Sequence, residues 1–118
     1  VLRVQALLRR AQLETEKVLR FEHTRLDYNA LTLTDLERDE VYQIPRKEFY
    51  LLYKLLSNPE KIFTRLDLLD DIWGMEEDLD ERLVDACIKR VRQKFKENKD
   101  FEIVTIRGLG YKGTIKNG

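Results

Sequence analysis

The stretch that most constrains this chain is residues 79–96, LDERLVDACIKRVRQKFK. At about 100° per residue, Val84, Ile88, Val91 and Phe95 fall within a narrow arc, the spacing of a core-facing helical seam. Arg82, Ala86, Lys89, Arg90 and Gln93 point the other way, and between Lys89 and Lys96 there are five basic side chains and no acidic one. The pattern predicts one helix over about residues 80–98 that packs one face and offers Arg, Lys and Gln on the other. Such a face suits the DNA major groove, where those side chains reach base edges and phosphates.

At 118 residues the chain is long enough for one modest core and too short for a second. Its apolar share of 42% and charged share of 37% suit a compact folded domain rather than a disordered tail. Apolar runs of only a few residues predict no membrane span. The chain opens without Met on the amphipathic VLRVQALLRRAQ. That reads as a piece of a longer polypeptide, not as a signal peptide, which needs a longer apolar stretch and a cleavage site. A single cysteine, Cys87, has no partner for an internal disulfide, so a reducing, cytoplasmic setting is expected.

Net charge is zero, but it is unevenly divided along the chain. Residues 1–65 carry 12 basic and 10 acidic groups, a balance of +2. Residues 66–85 set Arg82 against nine carboxylates, for −8, and residues 86–118 set nine basic groups against three acidic, for +6. A basic docking surface beside an acidic one is one reading, and plain surface solvation is the other.

The order of elements narrows the fold. Val1, Val4, Leu8 and Ala11 stand at helical spacing, and the polar stretch from Glu14 to Lys17 reads as a linker. From residue 17 to 44 the segments VLRF, RLDY, LTLTDL and VYQI alternate apolar with polar residues, which predicts an antiparallel sheet of hairpins. Pro45 opens a helix striped with Phe49, Leu52, Tyr53 and Leu56, and Ser57-Asn58-Pro59 stops it. Thr64 and Asp67 form a capping-box-like start for a short helix that Gly74 ends. The acidic connector MEEDL then leads into the basic helix, which Asn98 and Asp100 close. FEIVTI, the turn Arg107-Gly108-Leu109-Gly110 and YKGTI make a final hairpin. The expected class is α+β, a winged helix-turn-helix with an N-terminal four-stranded antiparallel sheet, three helices and a C-terminal hairpin wing over 101–115.

The residues PRKEFYLLYKLLSNPEKIFTRLDLLDDIWG, DERLVDACIKRVRQKF and VTIRGLGYK resemble the C-terminal effector domain of OmpR/PhoB-type response regulators. The resemblance runs from about residue 17 to 115 and rests on many anchors in one order. It implies sequence-specific binding of double-stranded DNA in transcription control, with residues 1–16 as the end of a receiver-domain helix plus linker and 17–118 as the DNA-binding domain. It further implies regulation through the chain's own receiver and a sensor histidine kinase, and head-to-tail dimers on direct repeats. Arg82, Lys89, Arg90 and Arg92 match positions near DNA in the family, and Arg107 matches the wing tip near the minor groove. Helical geometry independently aims Arg82, Lys89, Arg90 and Gln93 outward. It puts Arg92 on the flank, as a phosphate or intramolecular partner. Leu83, Ala86 and Cys87 depart from the family's usual Thr, Val and His, so the preferred operator is not transferable from relatives. Pro45-Arg46 replaces the common Thr-Pro, which removes a side-chain cap.

Several residues carry a plainer reading. The connector with Glu76, Glu77 and Asp78 is a solvated turn or, by resemblance, a contact for RNA polymerase. A calcium loop fails on carboxylate spacing and the missing glycine turn. Trp73 and Tyr111 read as packing residues, and His23 lacks a second His or Cys nearby to share a metal. Cys87 reads as an inert, semi-buried thiol rather than a nucleophile or redox sensor. No phosphate-cradling Gly loop, Ser-His-Asp set or paired carboxylates point to an enzyme or a cofactor. The competing class is a winged-helix interaction module whose basic helix binds an acidic protein partner.

Overall fold

The computed structural model describes residues 17–74 and 80–116. The receiver-helix reading of 1–16 and the acidic loop residues Glu76, Glu77 and Asp78 therefore lie outside the described residues. Four short strands come first: β1 (Val18–Arg20), β2 (Thr24–Asp27), β3 (Thr32–Asp35) and β4 (Glu40–Gln43). They pair antiparallel in chain order, β1-β2-β3-β4. Two aspartates shape the turns, because a short carboxylate can accept from the backbone two and three residues on. Asp27 Oδ1 takes the amides of Asn29 and Ala30 at 3.0 and 3.2 Å, and Asp35 Oδ1 takes those of Glu37 and Arg38 at 3.0 and 3.1 Å.

Helix α1 spans Arg46–Ser57, with Pro45 at its N-terminus and no side-chain cap. A proline there loses an N–H that has no intrahelical partner anyway. Helix α2 (Arg65–Trp73) opens on the expected capping box. The Asp67 amide donates to Thr64 Oγ1 at 3.0 Å, and the Thr64 amide donates back to Asp67 Oδ2 at 3.1 Å. The bond from the Thr64 amide, and after it the Thr64 hydroxyl, hold the Asp67 carboxyl below its ordinary range. Gly74 ends α2 with a φ of 72°, a left-handed conformation open to glycine.

The basic helix, α3, spans Arg82–Lys94, shorter than the expected 80–98 because Phe95 leaves helical geometry. Strands β6 (Phe101–Ile106) and β7 (Gly110–Ile115) form the wing. The sheet there has a third strand that the pattern did not reveal. β5 (Phe63–Thr64) pairs with β7, in the order β5-β7-β6.

One core joins these layers. Leu26 and Leu33 come from the sheet, Phe49, Leu51, Leu52 and Leu55 from α1, and Leu68 from α2. Val84, Cys87, Ile88 and Val91 come from α3, and Phe101 and Tyr111 from the wing. Trp73 and Tyr111 are buried packing residues, as the pattern suggested. Cys87 differs from expectation: it is fully buried, not half-buried. Helical periodicity puts it about 40° from Val91, inside the packed arc. Burial, with the Glu48 charge second, pushes its thiol up to about 11.

Candidate nucleic-acid interface

Packing of Val84, Cys87, Ile88 and Val91 against the core leaves the opposite arc of α3 open to solvent. Arg82, Leu83, Ala86, Lys89, Arg90, Gln93 and Lys94 are all exposed on it. Among the described residues Lys89, Gln93 and Arg107 carry no side-chain hydrogen bond or ion pair, and all three are exposed.

Other members of the ridge are held by carboxylates. Arg82 donates to Asp80 Oδ2 through Nε and Nη2 at 3.2 and 2.8 Å, and its amide donates to Asp80 Oδ1 at 2.8 Å. The Arg82 side chain, and after it the Arg82 amide, lower the Asp80 carboxyl to about 2. Asp80 so supplies the cap that Glu81, itself in helical conformation, does not. The Arg82 side chain is still 85% exposed.

Glu48 of α1 is the carboxylate that the sequence reading missed. It is only 5% exposed, yet it accepts from Arg90 Nε at 3.2 Å and from Lys94 Nζ at 2.7 Å. A buried carboxylate demands such partners, since leaving it unpaired is costly. Its spacing to Leu51, Leu52 and Leu55 puts it on the apolar stripe of α1, and that misfit was the available signal. The bond to Nε holds the Arg90 side chain at one point, and the side chain is still 56% exposed. Lys94, absent from the expected set, belongs to the same cationic surface.

Arg92 sits on the flank and turns inward. Its Nε and Nη2 donate to the Ile103 carbonyl at 3.1 and 2.9 Å, Nη2 also reaches Thr105 Oγ1 at 2.6 Å, and the guanidinium lies 5.6 Å from the Tyr111 ring centre. Of the two roles left open for it, the structure shows the intramolecular one: it ties α3 to the wing. On the same side Asp85 takes both Nε and Nη2 of Arg65, at 3.1 and 2.6 Å, and the Tyr111 hydroxyl at 2.6 Å. Burial, then the bond to Asp85, pushes the Tyr111 hydroxyl up to about 12. α2, α3 and β7 are thereby locked together beneath the exposed ridge.

The wing tip depends on two glycines for different reasons. Gly108 has a φ of 78°, and a Cβ there would meet open space. Gly110 lies against β5, where a Cβ would stand 2.0 Å from the Phe63 carbonyl oxygen. Arg107, the first residue of the turn, is exposed, as is Leu109.

At the opposite end, His23 and Thr24 meet the loop after α3. Buried Asp100 accepts from the His23 amide at 2.8 Å and Thr24 Oγ1 at 2.6 Å, and its other oxygen lies 3.0 Å from His23 Nδ1. His23 Nε2 faces Glu37 at 3.2 Å. The bond to Asp100 chiefly, with the Glu37 charge, raises the His23 imidazole above its ordinary value. Sequence reading left His23 isolated. Its partner Asp100 is 77 residues away.

Comparison with known proteins agrees with this architecture. The family described as "Transcriptional regulatory protein, C terminal" matches residues 39–113. The heme response regulator HssR of Staphylococcus epidermidis is 39% identical over 111 residues, covering 93% of this chain and 49% of that protein. The chain thus spans about half the length of the curated relatives it matches. Response regulator DrrB of Thermotoga maritima, an OmpR/PhoB homolog, superposes with a TM-score of 0.70 at 31% identity, covering 93% of this chain and 52% of that one. The DNA-binding domain of Klebsiella pneumoniae RstA, solved with the RstA box, gives a TM-score of 0.68 at 27% identity, covering 83% and 97%. The chain belongs to the family of transcriptional regulatory C-terminal domains, the effector domains of OmpR/PhoB-type response regulators.

Proposed function

We propose that this chain binds double-stranded DNA in a sequence-specific way, as the effector domain of a two-component response regulator that controls transcription. The observation that carries the reading is the open cationic arc of α3, with Lys89, Arg90, Gln93 and Lys94 exposed above a rigidly packed seam. In this reading α3 enters the major groove and Arg107 reaches the backbone or minor groove from the wing tip. Lys89, Lys94 and Arg82 neutralise phosphates, which supplies most of the affinity and makes it salt-dependent. Arg90, held through Nε by Glu48, presents its exposed guanidinium to a base edge, with Gln93 beside it. Arg92 supports the interface from behind, because its Nε and Nη2 are engaged by the wing.

The same reading includes the wider assembly. Residues 1–16 lead in from a receiver domain that a sensor histidine kinase phosphorylates, and the whole acts in the cytoplasm. Among the described residues no helix is long and apolar enough to cross a membrane. Two copies bind direct repeats head to tail, and exposed Val41 and Tyr42 on edge strand β4 suit contact with a second copy. The loop with Glu76, Glu77 and Asp78 contacts RNA polymerase.

Titration with random duplex DNA at low and moderate salt, followed by selection of bound sequences from a random pool, tests the core of this reading. Steep salt-dependent binding and one enriched motif are expected. Absence of both would favour the module that binds an acidic protein.

A further inference from the structure

We propose that Leu83 and Ala86 form an apolar step on α3 that reads the C5-methyl groups of thymine, and that they determine part of this domain's sequence preference. The inference rests on the DNA-binding reading above and adds a ligand chemistry to two side chains that reading left without a role.

Leu83 is a large apolar residue with 38% of its surface exposed, on a helix whose other outward residues are Arg, Lys, Gln or Ala. It stands one turn from Ala86 and two turns from Arg90, at the i, i+3, i+7 spacing that shares a helix face. Ala86 lies near the middle of the exposed arc, about 40° from Arg82 and about 40° from Arg90. The ridge is therefore not uniformly cationic. It has a small apolar strip at its N-terminal half, flanked by Arg82, Lys89 and Arg90.

The flanking charges select the partner. A strip bordered by three cations cannot take a basic or purely hydrocarbon surface without stripping water from those charges, whereas a polyanion with an apolar spot satisfies both. In the major groove the thymine methyl is that spot, and the other base-edge groups there are hydrogen-bond donors and acceptors. Leu83 against such a polar edge would desolvate it without pairing, so the strip rejects as well as selects. Ala86 carries no side chain long enough to hold α3 away from the bases. One turn further along, Arg90 is held through Nε by Glu48.

The test uses the 118-residue chain and a duplex chosen by selection. Each thymine in the selected site is replaced in turn by deoxyuridine, which removes only the methyl, and binding is measured at one salt concentration. At one or two positions the affinity should fall by a factor of about four per methyl lost. Leu83→Ala should remove the penalty at its thymine while leaving the salt slope unchanged, and Ala86→Ser should act the same way at the neighbouring one. Both positions are exposed, so neither variant disturbs the core. If every deoxyuridine duplex binds as tightly as its thymine parent, the proposal is overturned while DNA reading stands. Methyl penalties that persist unchanged in both variants also overturn it. If selection enriches no sequence, the DNA-reading proposal falls and takes this one with it.

Discussion

Glu48 sets the terms on which the cationic ridge works. One buried carboxylate holds two of its cations, so it lowers the local positive potential and in return orders Arg90 and Lys94. Neutralising it should separate these effects. In Glu48→Gln the amide oxygen still accepts one hydrogen bond, and stability should change by only about 1 kcal/mol. Affinity for random duplex DNA should rise, because a negative charge beside the ridge is gone. Discrimination between the selected site and random DNA should fall, because Arg90 is no longer anchored by an ionic partner. Paired Kd measurements on the two duplexes check this, and a fall in both affinities would contradict it. The wing glycines give a second comparison at this scale. Gly108→Ala should cost about 1 kcal/mol for the left-handed backbone alone. Gly110→Ala drives a Cβ into the Phe63 carbonyl and should cost about 3 kcal/mol or more. Denaturant midpoints of the two variants should follow that order.

At the level of elements, the clasp between the N-terminal sheet and the loop after α3 is sensitive to pH. His23 has its value raised above 6.5 by Asp100 and then Glu37, so its contribution is complete below about pH 6.5 and fades as pH climbs through the raised native value. Burial pushes Asp100 up, but hydrogen bonds from Thr24 and His23 outweigh this and hold it below 3.8. Its contribution is present above that value and is lost as pH falls through the lower native one. Melting temperatures of the natural chain and of His23→Gln should therefore differ most at mildly acidic pH and converge as the solution becomes alkaline. A gap that widens with pH would refute the clasp. None of this was readable in advance, because a bond across 77 residues leaves no local pattern. What local pattern does encode came through. The Val84–Ile88–Val91 seam, the Thr64–Asp67 box and the paired wing glycines all act through neighbours within a few residues. Strand β5 escaped because two residues cannot show a period, and they look like the approach to a helix. The inward turn of Arg92 was half visible: its angle on α3 excluded the centre of the ridge, but its acceptor on β6 is a tertiary fact.

For the molecule as a whole, zero net charge coexists with a directional field, and internal pairing explains how. Asp85 and Glu81 near the start of α3 are both within reach of Arg65 on α2, and Asp80 is held by Arg82. These carboxylates turn toward the body or the helix end, and Lys89, Gln93 and Arg107 remain unpaired among the described residues. In the proposed reading two separated regions, the arc of α3 and the wing tip, present cations to one polyanion. Their contributions to affinity should be distinguishable by salt. Each phosphate neutralised by a cation adds about 0.9 to the magnitude of the slope of log K against log salt. Arg107→Ala removes one such contact without touching the base-reading face, so it should lower that slope by about one and weaken selected and random duplexes by the same factor. Arg90→Ala should behave differently, costing about 1–3 kcal/mol on the selected duplex and much less on random DNA. Binding isotherms for both variants on both duplexes, at several salt concentrations, distinguish the two roles. If Arg107→Ala relaxed sequence preference while Arg90→Ala only shifted the salt slope, the assignment of α3 to the bases and the wing to the backbone would have to be reversed.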